Sequence, residues 1–164
     1  MLGAVPVQAQ VGAQGGAHIG RHVTTPEDIA AITQVTADFQ KALINKDEKG
    51  LSALMFNSAI LFATPVGDAT LKRMRTEKDV NFDGVSVGGY PAFARFVGES
   101  KTRIEEKFYN IKITQDGHVA WVMFDFEFLD DNKVGNYGVE TWQMYKVDGK
   151  WKIISVVWSS HGAP

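Results

Sequence analysis

The side chains with chemistry to offer lie in the C-terminal half of this chain. Asp125 and Glu127 interrupt a phenylalanine-rich run (MFDFEF), Glu140 follows Tyr137-Gly138-Val139, and His161 stands near the end. Two carboxyls held close in an apolar cavity push one pKa upward, which suits a general acid or base near neutrality. His161 titrates in the useful range and can assist. Each has a plainer reading beside it. Asp125 and Glu127 can face solvent or pair with Lys107 across a ladder, Glu140 can balance Lys112 or Arg103, and a histidine near a terminus frays by default. Arg95, among Phe93 and Phe96, can orient an anionic ligand group or simply be solvated. Tyr90, Tyr109, Tyr137 and Trp158 read as core or interface. His118, His18, His22 and the cluster Lys72, Arg73, Arg75 and Lys78 read as solvated. No glycine-rich phosphate loop, nucleophile elbow or metal-ligand spacing occurs, so neither metal nor cofactor is expected.

Positioning those groups falls to four strands between Thr102 and His161. Their punctuation is Asp116-Gly117, Asp130-Asp131-Asn132-Lys133 and Asp148-Gly149. Asp-Gly between apolar runs marks a hairpin, because both central residues of a type I′ turn need positive φ. Counting outward from Asp148-Gly149, Trp151, Ile153, Ser155 and Val157 share a face with Met144, Trp142 and Glu140. On that register Trp121, Met123 and Asp125 join them. Ile154, Val156, Trp158, Val139, Tyr137, Val122, Phe124, Phe126 and Phe128 take the other face. A one-residue slip across Asp130 to Lys133 would flip Trp121 to Glu127. Both faces are apolar, and three helices cover only one. The second is therefore expected to meet another copy of the chain, a homodimer through Phe124, Phe126, Tyr137, Val139, Val156 and Trp158.

Ahead of the strands, Thr25-Pro26-Glu27-Asp28 is a helix start, with Thr as cap, Pro in the first turn and acids behind it. Ile29, Ile32, Val35, Phe39, Ala42 and Leu43 extend one apolar stripe to about Lys46. Asp47 caps a shorter second helix, Ala59 to Ala63 is a buried strand, and Tyr90 to Val97 is a third helix. Val66 to Gly88 is irregular, a long loop of the kind that is functional or mobile. The order is α+β, not alternating βαβ.

The chain has 164 residues, 45% apolar and 22% charged, with a formal charge of −2, which suits one domain and argues against nucleic acid or an anionic membrane as partner. There is no cysteine, which excludes disulfides and thiolate chemistry. Met1 to Gln10 looks like the tail of a secretory signal, with Val7-Gln8-Ala9 as a small-x-small site but no basic start. Residues 1–24 are expected to be a leader and 25–161 a single domain, in a periplasm or outside the cell rather than in the cytoplasm.

Three stretches resemble the nuclear transport factor 2 superfamily of cone-shaped α+β domains. Leu43 to Leu54 (LINKDEKGLSAL) is similar to that family's junction between helices one and two. Phe62 to Gly67 (FATPVG) is similar to its strand ending in a Pro-Val-Gly turn. Asp116 to Val122 and Val147 to Ile153 resemble hairpins of its polyketide-cyclase-like and uncharacterised members. The resemblance covers about residues 26 to 160 and implies three helices on a strongly bent, mostly antiparallel sheet. It includes ketosteroid isomerase, but Phe39 stands at the oxyanion tyrosine's position and Thr64 at the base's, so that activity is not expected.

In cones of this family the ligand lies between sheet and helices. The resemblance therefore implies an apolar pocket for a small apolar or aromatic molecule, lined by Phe39, Phe62, Arg95, Trp121, Trp142 and Ser159. A cofactor-free lyase, cyclase or isomerase is the alternative, with Asp125 or Glu140 carrying the proton and His161 assisting. A third possibility is an assembly module whose cone is filled by Trp121, Trp142 and Trp151.

Overall fold

The computed structural model describes residues 16–86 and 88–163. The secretory-signal expectation, on Met1 to Gln10, lies outside them. The first helix, α1 (Pro26–Asn45), begins where the Thr25 Oγ1 accepts from the Asp28 backbone N–H at 3.1 Å and ends on Lys46 in the left-handed region at φ 55°. Its stripe of Ile32, Val35, Phe39, Ala42 and Leu43 is buried. Asp47 then caps α2 (Glu48–Leu54), accepting from Gly50 N at 2.8 Å. Strand β1 (Leu61–Ala63) follows.

The stretch expected to be irregular contains a helix, α3 (Asp68–Glu77), which makes four helices among the described residues. None of its residues is buried, so no apolar periodicity announces it. Helix α4 (Gly89–Glu99) buries Tyr90, Ala94 and Val97. Five strands complete the chain: β2 (Ile104–Asp116), β3 (Val119–Asp130), β4 (Lys133–Val147), β5 (Lys150–Trp158) and β6 (His161–Gly162). The sheet order is β1-β5-β4-β3-β2, with β6 on β4. β1 runs parallel to β5, and the other strand pairs described are antiparallel. This is the α+β cone that the sequence predicts.

Turn chemistry follows the residues. Asp131-Asn132 and Asp148-Gly149 both take positive φ, as type I′ turns require, whereas only Gly117 does so in the first hairpin. Three single-residue bulges then curl the sheet. In β2 the register shifts between Tyr109 and Lys112, where Asn110 takes φ 53°. In β4, Leu129 faces Val134 but Phe128 faces Asn136, leaving Gly135 unpaired. In β5, Met144 faces Ile153 but Gln143 faces Ser155, leaving Ile154 unpaired. Extra residues of this kind bend a strand and raise its twist.

The last two bulges overturn part of the expected face assignment. An unbulged hairpin at Asp131-Asn132 would set Trp121 opposite Trp142. With Gly135 extruded, Trp142 faces Val122 and Glu140 faces Phe124. Trp121, Met123 and Asp125 therefore lie on the outer face, away from the helices. Val122, Phe124, Phe126 and Phe128 lie on the inner one. Ile154 likewise exchanges its neighbours, so Val156 and Trp158 turn inward while Ser155 and Val157 turn outward. Of the six residues assigned to the dimer face, only Tyr137 and Val139 are on it. Phe124, Phe126 and Val156 are core.

The core lies between α1 and the inner face. Trp142 is fully buried, with ring centroids 5.0 Å from Phe39 and 5.1 Å from Phe124, and Phe108 stacks 4.1 Å from Phe124. At the narrow end, the Asp28 carboxylate accepts from Lys146 Nζ at 2.6 Å and from Trp151 Nε1 at 3.0 Å, which lowers its pKa. Val23 N donates to Asp116 Oδ1 at 2.8 Å, and Thr24 Oγ1 to the Gln115 carbonyl at 2.8 Å.

Candidate functional site

At the opposite, wide end the helices stand off the sheet and leave a cavity of about 190 Å³. Its walls follow from the alternation just described. Strand β3 contributes Phe126 and Phe128, β4 contributes Asn136 and Glu140, and β2 contributes Glu106. Phe39 of α1, Phe62 of β1, Phe93 of α4 and Trp158 of β5 close the other sides. Phe62 lies at the centre of the aromatic wall, its ring 4.9 Å from both Phe93 and Trp158. The floor residues Phe39, Glu106, Phe126 and Glu140 are buried, whereas Phe128, Asn136 and Trp158 are half-buried, so the cavity opens toward that end.

Two carboxyls face this space. Glu140 is 4% exposed and accepts from Trp142 Nε1 at 2.5 Å. Burial nevertheless pushes its pKa up to about 8, the indole N–H opposing the shift. Glu106 is 5% exposed. Its backbone carbonyl accepts from Gln40 Nε2 at 2.8 Å, but among the described residues no side chain bonds its carboxyl. Burial first, and the neighbouring Glu140 second, push its pKa well above the ordinary value. The pair thus favours retention of protons at neutral pH, with the Glu106 carboxyl free to meet a ligand.

Of the residues singled out in the sequence, Glu140, Phe39 and Phe62 line the cavity, and Trp142 holds Glu140 from behind. The others lie elsewhere. Asp125 is on the outer face, where Asn110 Nδ2 donates to it at 2.6 Å. Trp121 is on that face and 46% exposed. His161 pairs with Tyr137 at the β4 edge, its ring 5.4 Å from that of Tyr137. Ser159 spends its hydroxyl oxygen accepting from Val139 N at 3.0 Å. These two border an outer-face hollow with Tyr109, Asp125 and Glu127. Arg95 lines a shallow dent with Phe96 and Glu99 on the exposed side of α4. Sequence reasoning passed over Glu106. Its signal was present: alternation puts it between Ile104 and Phe108 on one face of β2.

The fold places the chain among known structures. It resembles a cystatin-like fold protein of unknown function from Nostoc punctiforme, with a TM-score of 0.57 and 15% identity over 84% of this chain and 93% of that one. It also resembles a provisionally named scytalone dehydratase from Novosphingobium aromaticivorans, with a TM-score of 0.59 and 18% identity over 84% of this chain and 87% of that one. A provisionally named dehydratase of the nuclear transport factor 2-like family from Streptomyces avermitilis gives a TM-score of 0.58 and 18% identity over 85% and 100%. No family model matches the sequence. No curated protein matches it significantly.

Proposed function

We propose that this nuclear transport factor 2-like cone is a binding domain for one small, largely apolar or aromatic molecule, held in the cavity between α1, α4 and the sheet. The observation that carries the reading is the cavity itself, a space walled by aromatic rings with two carboxyls converging on it. Its volume exceeds the roughly 150 Å³ at which an apolar cavity accepts benzene, so one ring with a short substituent fits. Ligands that bind the native state stabilise it. A panel of single-ring compounds is therefore expected to raise the melting temperature, and to do so less in Phe93→Trp, whose larger side chain fills the space. A flat response across the panel overturns the reading.

An acid/base enzyme of the lyase or isomerase kind is the second reading, favoured by the raised Glu140 pKa and by the two similar structures provisionally named dehydratases. A pair holding one proton can act at both ends of an elimination. The protonated carboxyl donates to a departing hydroxyl, which leaves as water. The ionised one takes a proton from the adjacent carbon as the double bond forms, and the pair ends with the proton count it began with. Activity of this kind should fall by about 10²-fold or more in Glu140→Gln, and unchanged turnover there removes Glu140 from the chemistry.

A further inference from the structure

The cavity's charge balance says more about its ligand than its size does. Two acids face the space, and among the described residues lining it there is no lysine, arginine or histidine. The other walls add nothing that titrates: α1, β1, α4, β3 and β5 present only phenylalanine and tryptophan. Buried carboxyls in proteins are ordinarily paired with a cation or fully hydrogen-bonded. Among the described residues the Glu106 carboxyl has neither a cation nor a side-chain donor, and since no fully enclosed side-chain oxygen there lacks a partner, its oxygens open onto the cavity. Aromatic faces carry negative quadrupole charge, so the rings, and the acids when ionised, give the cavity one sign.

We propose that the ligand is a small amine bound as its ammonium cation. This rests on the cavity being a binding site and adds the ligand's charge. The ammonium group would sit between Glu106 and Glu140, supplying the counter-ion the site lacks and donating charge-assisted hydrogen bonds to both. Its hydrocarbon frame would lie against Phe39, Phe93 and Trp158, where a cation beside aromatic faces gains further. A carboxylate or phosphate ligand finds no positive group among the described lining residues, and a neutral alcohol brings no charge to offset the acids when they ionise. Seating a cation favours the ionised form of the pair, so binding near neutral pH should release protons to the buffer.

Isothermal titration at pH 7 with benzylamine and cyclohexylamine, against benzyl alcohol, cyclohexanol and benzoate, tests this. Both amines should bind at least about tenfold more tightly than their alcohols, the scale of one charge-assisted bond. Benzoate should not bind. The heat for amines should differ between phosphate and MOPS buffers in proportion to their ionisation enthalpies, which reports proton release without any variant. Glu106→Gln and Glu140→Gln should each lose that amine preference while still taking up benzyl alcohol. Alcohols binding as well as amines, with no proton released, overturn the cation assignment and leave the pocket standing. Binding of none of the five compounds overturns both.

Discussion

Replacing Glu140 by glutamine keeps the side chain's shape while removing its ionisation, and so isolates the effect of its charge on the fold. In the native state this carboxyl holds its proton up to about pH 8, whereas in the unfolded chain it ionises near 4.5. The folded state therefore binds more protons through that window. Its contribution to stability is full below about 4.5 and is lost as pH rises through 8. The unfolding free energy of the unliganded protein should fall between about pH 4.5 and 8, by up to about 1.4 kcal/mol per pH unit for each proton involved, and its melting temperature should fall with it. Glu140→Gln should flatten that slope, and an equally steep slope in the variant would assign it to other groups. Phe39 raises a separate point at the same scale. It is buried against Phe93, Phe108 and Trp142, so Phe39→Ala should cost about 3–5 kcal/mol in denaturant unfolding.

Single extra residues decide most of what happens at the level of strands. Thr25, Asp47 and the Asp148-Gly149 turn act through local chemistry, and each does in the structure what its residue type predicts. Gly135 and Ile154 show the limit of that logic. Neither residue type demands a bulge, yet each shifts the register by one and turns a set of side chains to the opposite face. That is why Asp125 was expected in the pocket and Phe126 on the outside. Helix α3 escaped for a different reason, since a helix with no buried residue leaves no stripe to read. Glu106 was legible by alternation but stood unnoticed in a charged segment (IEEKF). Bulge residues can be tested directly. Asn110 holds φ 53°, a conformation open to asparagine and glycine but strained for branched side chains. Asn110→Val should cost about 1–2 kcal/mol and Asn110→Gly much less, by chemical denaturation. Equal costs would mean that the Asn110–Asp125 contact, not the backbone, sets the bulge.

At the scale of the whole molecule, the outer sheet face exposes several large apolar side chains. Trp121 is 46% and Met123 42% exposed there, on the same face as Tyr109, Val139 and Val157. These apolar side chains, interspersed with Lys112, Thr114, Thr141 and Gln143, offer a surface on which a second copy of the chain could join sheet to sheet. Sedimentation equilibrium should then give a dimer that Trp121→Glu and Met123→Glu together convert to folded monomers, since neither side chain supports the core. A dimer that survives both changes is built on another surface. The chain enters the domain at the far end from the cavity. Val23 and Thr24 are pinned to the β2–β3 hairpin, near Lys146 and Asp28, while Asn136 and Glu106 border the mouth. Lys146 lies ten positions beyond Asn136 along β4, roughly 33 Å of extended strand. A sensor chip that grips the polypeptide ahead of Val23 would thus hold every molecule with its opening pointed into the flowing sample, and immobilisation need not mask what is being measured.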